Sequence, residues 1–222
     1  MQKSVYSLVL ADEVVAAVDR LAYQQGTSRS NMINQILASH CSFVTPEKRR
    51  RDIFSMVEDL FSGGGCFKVQ LQPSDTMLSI QSALAYKYKP SIRYAVELYH
   101  PGEEFMGELR VSFRTQSRQL IGALSQFYRL WEKLENAYIG SLFPGGKVSC
   151  QAQDERFYRK LLPPRAKEGV NEQETGEAIA GYIKAFDHAL KTFFANLNDP
   201  PAALAETEKA YLAYLRGGSP VI

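Results

Sequence analysis

Three cysteines and three histidines are the residues best suited to hold a metal or move protons. Cys41, Cys66 and Cys150 form no CxxC pair, and His40, His100 and His188 are equally scattered. A metal site needs ligands whose spacing lets them converge, and none of the six has such a neighbour, so no metal is expected. Asp187 beside His188 invites a general-base reading, but without a second ligand or a nucleophile at hand a structural or surface role is the expectation for His188 and for His100. Two glycine-rich runs, Ser62-Gly63-Gly64-Gly65 and Phe143-Pro144-Gly145-Gly146-Lys147, lack the remaining residues of a phosphate-binding loop. With no clustered nucleophile, base and metal set, neither an enzyme nor a cofactor is expected.

The chemistry that the residues do offer is anion binding. Thr27-Ser28-Arg29-Ser30-Asn31 precedes Met32, Ile33, Ile36 and Leu37, which recur at helical spacing. Ser28 is therefore the expected N-cap, and the unpaired amides of the first turn, with the helix dipole, form an anion site beside Arg29 and Ser30. A cap and a bound phosphate use different amides, so the two roles are compatible. Lys48-Arg49-Arg50-Arg51 is a second basic group, which either reaches flanking phosphates or forms a solvated helix face.

The elements around these residues follow from periodicity. Lys3 to Leu10 reads as a short strand, and Asp12-Glu13 starts a helix carrying Val14, Val18, Leu21 and Ala22 up to a stop at Gly26. Pro46 opens a third helix with Ile53, Met56, Val57, Leu60 and Phe61 on its apolar face. The glycine segment 62–65 cannot continue a helix cheaply, so it is the expected linker between a domain at 1–61 and another at 66–222. Beyond it the period falls to two at Phe67-Val69-Leu71, from Leu78 to Tyr88, at Ile92-Leu98 and at Leu109-Phe113, which predicts four antiparallel strands. Helices are predicted along the stripe Leu120, Leu124, Phe127, Trp131, Leu134 and Tyr138, and near 171–195 and 201–216. The fold class is α+β after the first helices. The stripe is longer than a four-stranded sheet is expected to cover, so 66–222 is assigned a second self-association or partner surface, or the binding of a small-molecule effector.

Composition bounds the rest. The chain has 222 residues, 45% apolar and 23% charged, which excludes wholesale disorder. The net charge of +2 does not by itself argue for a polyanionic partner, although residues 1–51 hold seven basic side chains against four acidic ones. No apolar run reaches the length of a membrane span, and unpaired cysteines fit a reducing compartment, so a cytoplasmic, non-membrane protein is expected.

Taken in order, the strand Val5-Tyr6-Ser7-Leu8-Val9-Leu10, the start Asp12-Glu13-Val14, the run Val18-Asp19-Arg20-Leu21-Ala22 and the turn Gly26-Thr27-Ser28-Arg29-Ser30 leading to Ile33 and Ile36-Leu37 resemble the ribbon-helix-helix family of DNA-binding proteins, the Arc, MetJ and CopG-like repressors. The resemblance covers about residues 3–42. It implies a homodimer, or a higher oligomer, in which two strands form an antiparallel ribbon that enters the major groove of double-stranded DNA. Strand alternation then places Val5, Ser7 and Val9 toward the bases, with Tyr6, Leu8 and Leu10 joining Ile33 and Leu37 in the dimer core; a one-residue slip would exchange the faces. The two outward valines depart from the polar or basic residues usual in the family and can touch thymine methyls, which leaves Ser7 as the hydrogen-bonding reader. Lys3, Ser28, Arg29 and Ser30 are the implied phosphate contacts. The nickel-responsive branch is disfavoured because its HxH pair is missing. The implied function is a sequence-specific transcriptional regulator, with repression as the expected mode. The alternative is an antitoxin-like or plasmid-maintenance protein whose C-terminal part binds a protein partner.

Overall fold

The computed structural model describes residues 5–63, 65–70, 76–100, 102–153, 155–162, 172–218 and 221–222. Asp12 and Glu13 open α1 (Asp12–Gln24), where carboxylates meet the positive end of the helix dipole. Gly26, at φ +60, makes the left-handed turn into α2 (Arg29–His40). α3 (Pro46–Ser62) follows, and Lys48 N–H donates to Thr45 Oγ1 at 3.1 Å at its start. Next come β1 (Lys68–Gln70), β2 (Met77–Ala83), β3 (Ser91–Leu98) and β4 (Gly107–Phe113), then α4 (Arg118–Ile139), β5 (Cys150–Gln153), β6 (Arg156–Leu161), α5 (Glu172–Ala195) and α6 (Pro200–Arg216).

The chain divides into two compact units, residues 1–49 and 50–222. This corrects the boundary expected at 62–65. Ile53, Phe54, Val57 and Phe61 of α3 are buried in the same core as the sheet, so the third helix belongs to the α+β unit. Close approach explains why: a Cβ on Gly176 of α5 would lie 2.7 Å from Met56 Cγ and 3.3 Å from the Ile53 carbonyl, so glycine lets α3 seat directly against α5. Ser62 ends α3, and Gly63 and Gly65 lie inside this unit, while Gly64 lies outside the described residues.

In the first unit, Val18, Ala22 and Met32 are the buried apolar residues, with Ile33 packed against them. The strand expected at 3–10 is not formed in the single chain. Residues 5–10 have no regular structure and Lys3 lies outside the described residues, so the first element is α1.

In the second unit a six-stranded antiparallel sheet has the order β1-β2-β3-β4-β6-β5. β5 and β6 add to the four strands expected, and the second strand ends at Ala83 instead of Tyr88. Tyr88 and Lys89 instead take positive φ angles of 63° and 43° in the connection to β3. One sheet face is apolar: Ile80, Tyr94, Val111 and Phe157 lie side by side across four strands and are fully buried. The α4 stripe packs into the same core. Phe127 and Trp131 meet Phe186 of α5 at ring-centroid distances of 5.3 and 5.0 Å, and Trp131 meets Tyr211 of α6 at 4.9 Å. Leu120, Leu124 and Leu134 are likewise buried, and only Tyr138 is exposed, where its hydroxyl donates to Glu208 at 2.7 Å. The stripe is therefore consumed within its own unit, and the self-association surface expected from it is not available.

A charge sits at the centre of this core. Arg159 of β6 and Glu135 of α4 are both wholly buried and meet at 2.8 Å. Tyr182 of α5 donates to Glu135 at 3.1 Å and accepts from the Trp131 indole at 2.8 Å, while the guanidinium lies 4.3 Å from the Tyr182 ring centroid. Burial pushes the Glu135 carboxyl above its ordinary value, against the opposing pull of Arg159. Removing one partner strands the other, so Glu135→Ala should cost about 3–5 kcal/mol in urea unfolding. The paired change Glu135→Leu with Arg159→Met should cost far less than the sum of the single changes.

Candidate nucleic-acid interface

The turn between α1 and α2 carries most of the residues expected to meet phosphate. Ser28 caps α2 as expected, its hydroxyl accepting from the Asn31 amide at 3.3 Å, and Asn31 Nδ2 donates to Thr27 Oγ1 at 2.8 Å. Ser28, Arg29 and Ser30 are all exposed. No acidic residue lies in the first turn of α2, so its amides face no competing carboxylate on their own helix.

Arg29 is differently placed from the expectation. Its Nε and Nη2 each donate at 2.6 Å to the two carboxylate oxygens of Asp19 on α1, a fork across the tight turn. This fork clasps α1 to α2 and gives the guanidinium a counter-ion. Arg29 is thus foremost a structural clasp, and a phosphate at this turn must share it with Asp19. Sequence spacing alone does not reveal the pair, because the two residues lie ten apart on different helices; the loop geometry at Gly26 is what brings them together. The Arg29 hydrogen bonds and charge hold the Asp19 carboxyl below its ordinary value.

Of the residues assigned to the ribbon, Val5 and Val9 are wholly exposed, and Ser7 is exposed with them. The assigned dimer-core residues are not gathered in one chain: Tyr6, Leu8, Leu10 and Leu37 are exposed and Ile33 is half-buried. Twelve of the sixteen exposed large apolar side chains among the described residues fall between Val5 and Val44. This density of uncovered apolar surface contrasts with the three buried apolar residues of the unit, Val18, Ala22 and Met32.

In the second unit, Asp187 does not serve His188. Its carboxylate is nearly buried and accepts from Ser82 Oγ at 2.7 Å, Tyr94 Oη at 2.9 Å and Lys191 Nζ at 2.7 Å, while His188 is exposed. Lys191 Nζ also lies 3.3 Å from Cys66 Sγ. Burial acts to lower the Lys191 ammonium, and Asp187 outweighs it, holding the lysine above its ordinary value. Among the described residues no group of three or more His, Cys, Asp or Glu side chains is placed to hold a metal. Burial pushes the Cys150 thiol up to about 12, whereas Cys41 and Cys66 are exposed.

Two outcomes are expected. In thiol titration of the native chain, Cys41 and Cys66 should react readily, and Cys150 only after unfolding. In a carboxyl titration followed by NMR, Asp19 should titrate below the ordinary aspartate value, and Arg29→Gln should return it there. Because the folded value is the depressed one, the clasp contributes stability above the ordinary aspartate range and loses it as pH falls through the folded value. The comparisons with family models, with curated proteins and with solved structures give no match for this chain.

Proposed function

We propose that the chain is a homodimeric DNA-binding transcriptional regulator of the ribbon-helix-helix type. The observation that carries this reading is the state of residues 5–10: an apolar, β-prone segment with no strand to pair with, next to two helices whose apolar residues are largely exposed. A lone strand leaves its backbone donors and acceptors unmatched. A second copy supplies both missing parts, an antiparallel strand for the segment and a second pair of helices for Tyr6, Leu8, Leu10, Ile33 and Leu37. The resulting ribbon turns Val5, Ser7 and Val9 outward at a width that the major groove admits. The capped turn at Ser28–Ser30 offers amides to a backbone phosphate at each flank. The action on transcription is repression by occupancy of the operator.

The reading is tested on the full chain, since α3 belongs to the second unit and truncation after it would expose that unit's core. Leu8→Asp puts a charge into the shared core, so sedimentation should show monomers while the second unit keeps its melting transition. Operator DNA recovered by crosslinking should lose at least about a hundredfold in affinity for this variant, as two correctly spaced half-sites no longer act together. Ser7→Ala should narrow the gap between operator and random duplex by about tenfold and leave random binding unaltered. A wild-type chain that sediments as a monomer at all concentrations would falsify the reading.

A further inference from the structure

The sheet's second face has a charge pattern that the core does not require. Following the register, one row across all six strands reads Lys68, Gln81, Arg93, Ser112, Arg156 and Gln153. The next row contributes Arg110 and Tyr158, side by side on β4 and β6. These two rows hold four cations, no carboxylate and no aliphatic side chain larger than alanine. Lys68, Arg93 and Arg156 are exposed and recur on alternate strands, about 10 Å apart.

Carboxylates are concentrated at the other end of the same face; at the basic end Glu155 lies 3.9 Å from Arg156, and Glu108 comes within 3.8 Å of Arg110. Glu97 and Glu108 lie opposite each other in the third row, where Lys160 bonds Glu108 at 2.8 Å. At the basic end, Lys87 and Lys89 of the β2–β3 connection and Arg114 after β4 are exposed as well. The face is therefore polarised along its strands, and its cationic part is held in place. Arg93 Nε donates to the buried Ser79 Oγ at 2.8 Å, and the Arg110 guanidinium lies 5.2 Å from the Tyr158 ring centroid.

We propose that this cationic sheet face holds the phosphate backbone of duplex DNA as a second, sequence-independent contact of the protein. The class of polyanion rests on the DNA-binding reading above. The side chains select the duplex among the alternatives. A single strand is gripped by several exposed rings on which bases stack, whereas the two rows carry one, Tyr158, half-buried and flanked by arginines, and the basic end adds one exposed ring, Tyr88, at its margin. A protein partner is anchored by aliphatic or aromatic side chains in apolar pockets, which the two rows lack. What remains is a set of evenly spaced cations, suited to displacing counterions from a regular array of phosphates.

The test uses the full chain and a duplex of about 60 base pairs with arbitrary sequence, read by fluorescence anisotropy as salt is varied. The triple variant Lys68→Gln, Arg93→Gln and Arg156→Gln should bind at least about tenfold more weakly at low salt, with the slope of log K against log salt smaller by about 2–3. Its melting transition should stay within a few degrees of the parent's, because the three side chains are exposed and the chief loss is the Arg93–Ser79 hydrogen bond. The same three changes placed in a Leu8→Asp background separate the two readings. If Leu8→Asp leaves binding of the arbitrary duplex intact and the triple variant removes it, this face stands; the ribbon reading fails separately if Leu8→Asp also keeps the parent's operator affinity. Unaltered affinity and salt slope in the triple variant, or no duplex binding by the wild-type chain, overturns the face. Competition by a single-stranded oligonucleotide or by polyglutamate equal to that of the duplex would overturn it too, and would assign the cations to a single strand or an acidic protein.

Discussion

A buried guanidinium organises the larger unit. Arg159 points from β6 into a core built mainly of aliphatic and aromatic side chains, and a charge there is tolerable only with a partner at bonding distance. That requirement sets the placement of α4, whose Glu135 must reach the sheet, and of α5, whose Tyr182 must satisfy the carboxylate and stack on the cation. Trp131 completes the set through the Tyr182 hydroxyl, so the helices are tied to one another as well as to the strand. Apolar packing alone would permit α4 to slide along its stripe, since neighbouring turns offer similar side chains. The ion pair specifies one position.

The same residue explains much of what the sequence concealed. β6 alternates Phe157, Arg159 and Leu161 toward the core, and an arginine at an inward position breaks the apolar alternation by which a strand is read. β5, with Cys150-Gln151-Ala152-Gln153, has hardly any alternation to read. The helices were legible because their signals are local: an acidic first turn in α1, Ser28 as a cap, Pro46 at a helix start, and a stripe at steps of three and four. The division of the chain was not, because a helix's apolar face announces that it is buried without naming its partner. Glycines after Ser62 signal the end of α3, and only the close seat at Gly176 shows which body α3 joins.

The candidate interface divides along the same line between local and distant. The cap at Ser28 was legible from five consecutive residues, while the Asp19–Arg29 fork depends on how two helices meet. The cationic rows depend on the pairing of six strands, two of them unread, and were invisible until Arg93, Arg110 and Arg156 could be placed on one face. The N-terminal segment presents the converse case. It is apolar and β-prone in sequence, and in the single chain it forms no strand and stays exposed.

The edges of the sheet matter for how such a chain behaves among many copies of itself. As described, β1 offers three residues at one edge, with Lys68 and Gln70 on them, and β5 offers four at the other, with Gln151 and Gln153. Short, polar edges are poor templates for an incoming strand. An exposed apolar segment of another copy therefore gains little by docking at either edge, which guards the sheet against growing from chain to chain.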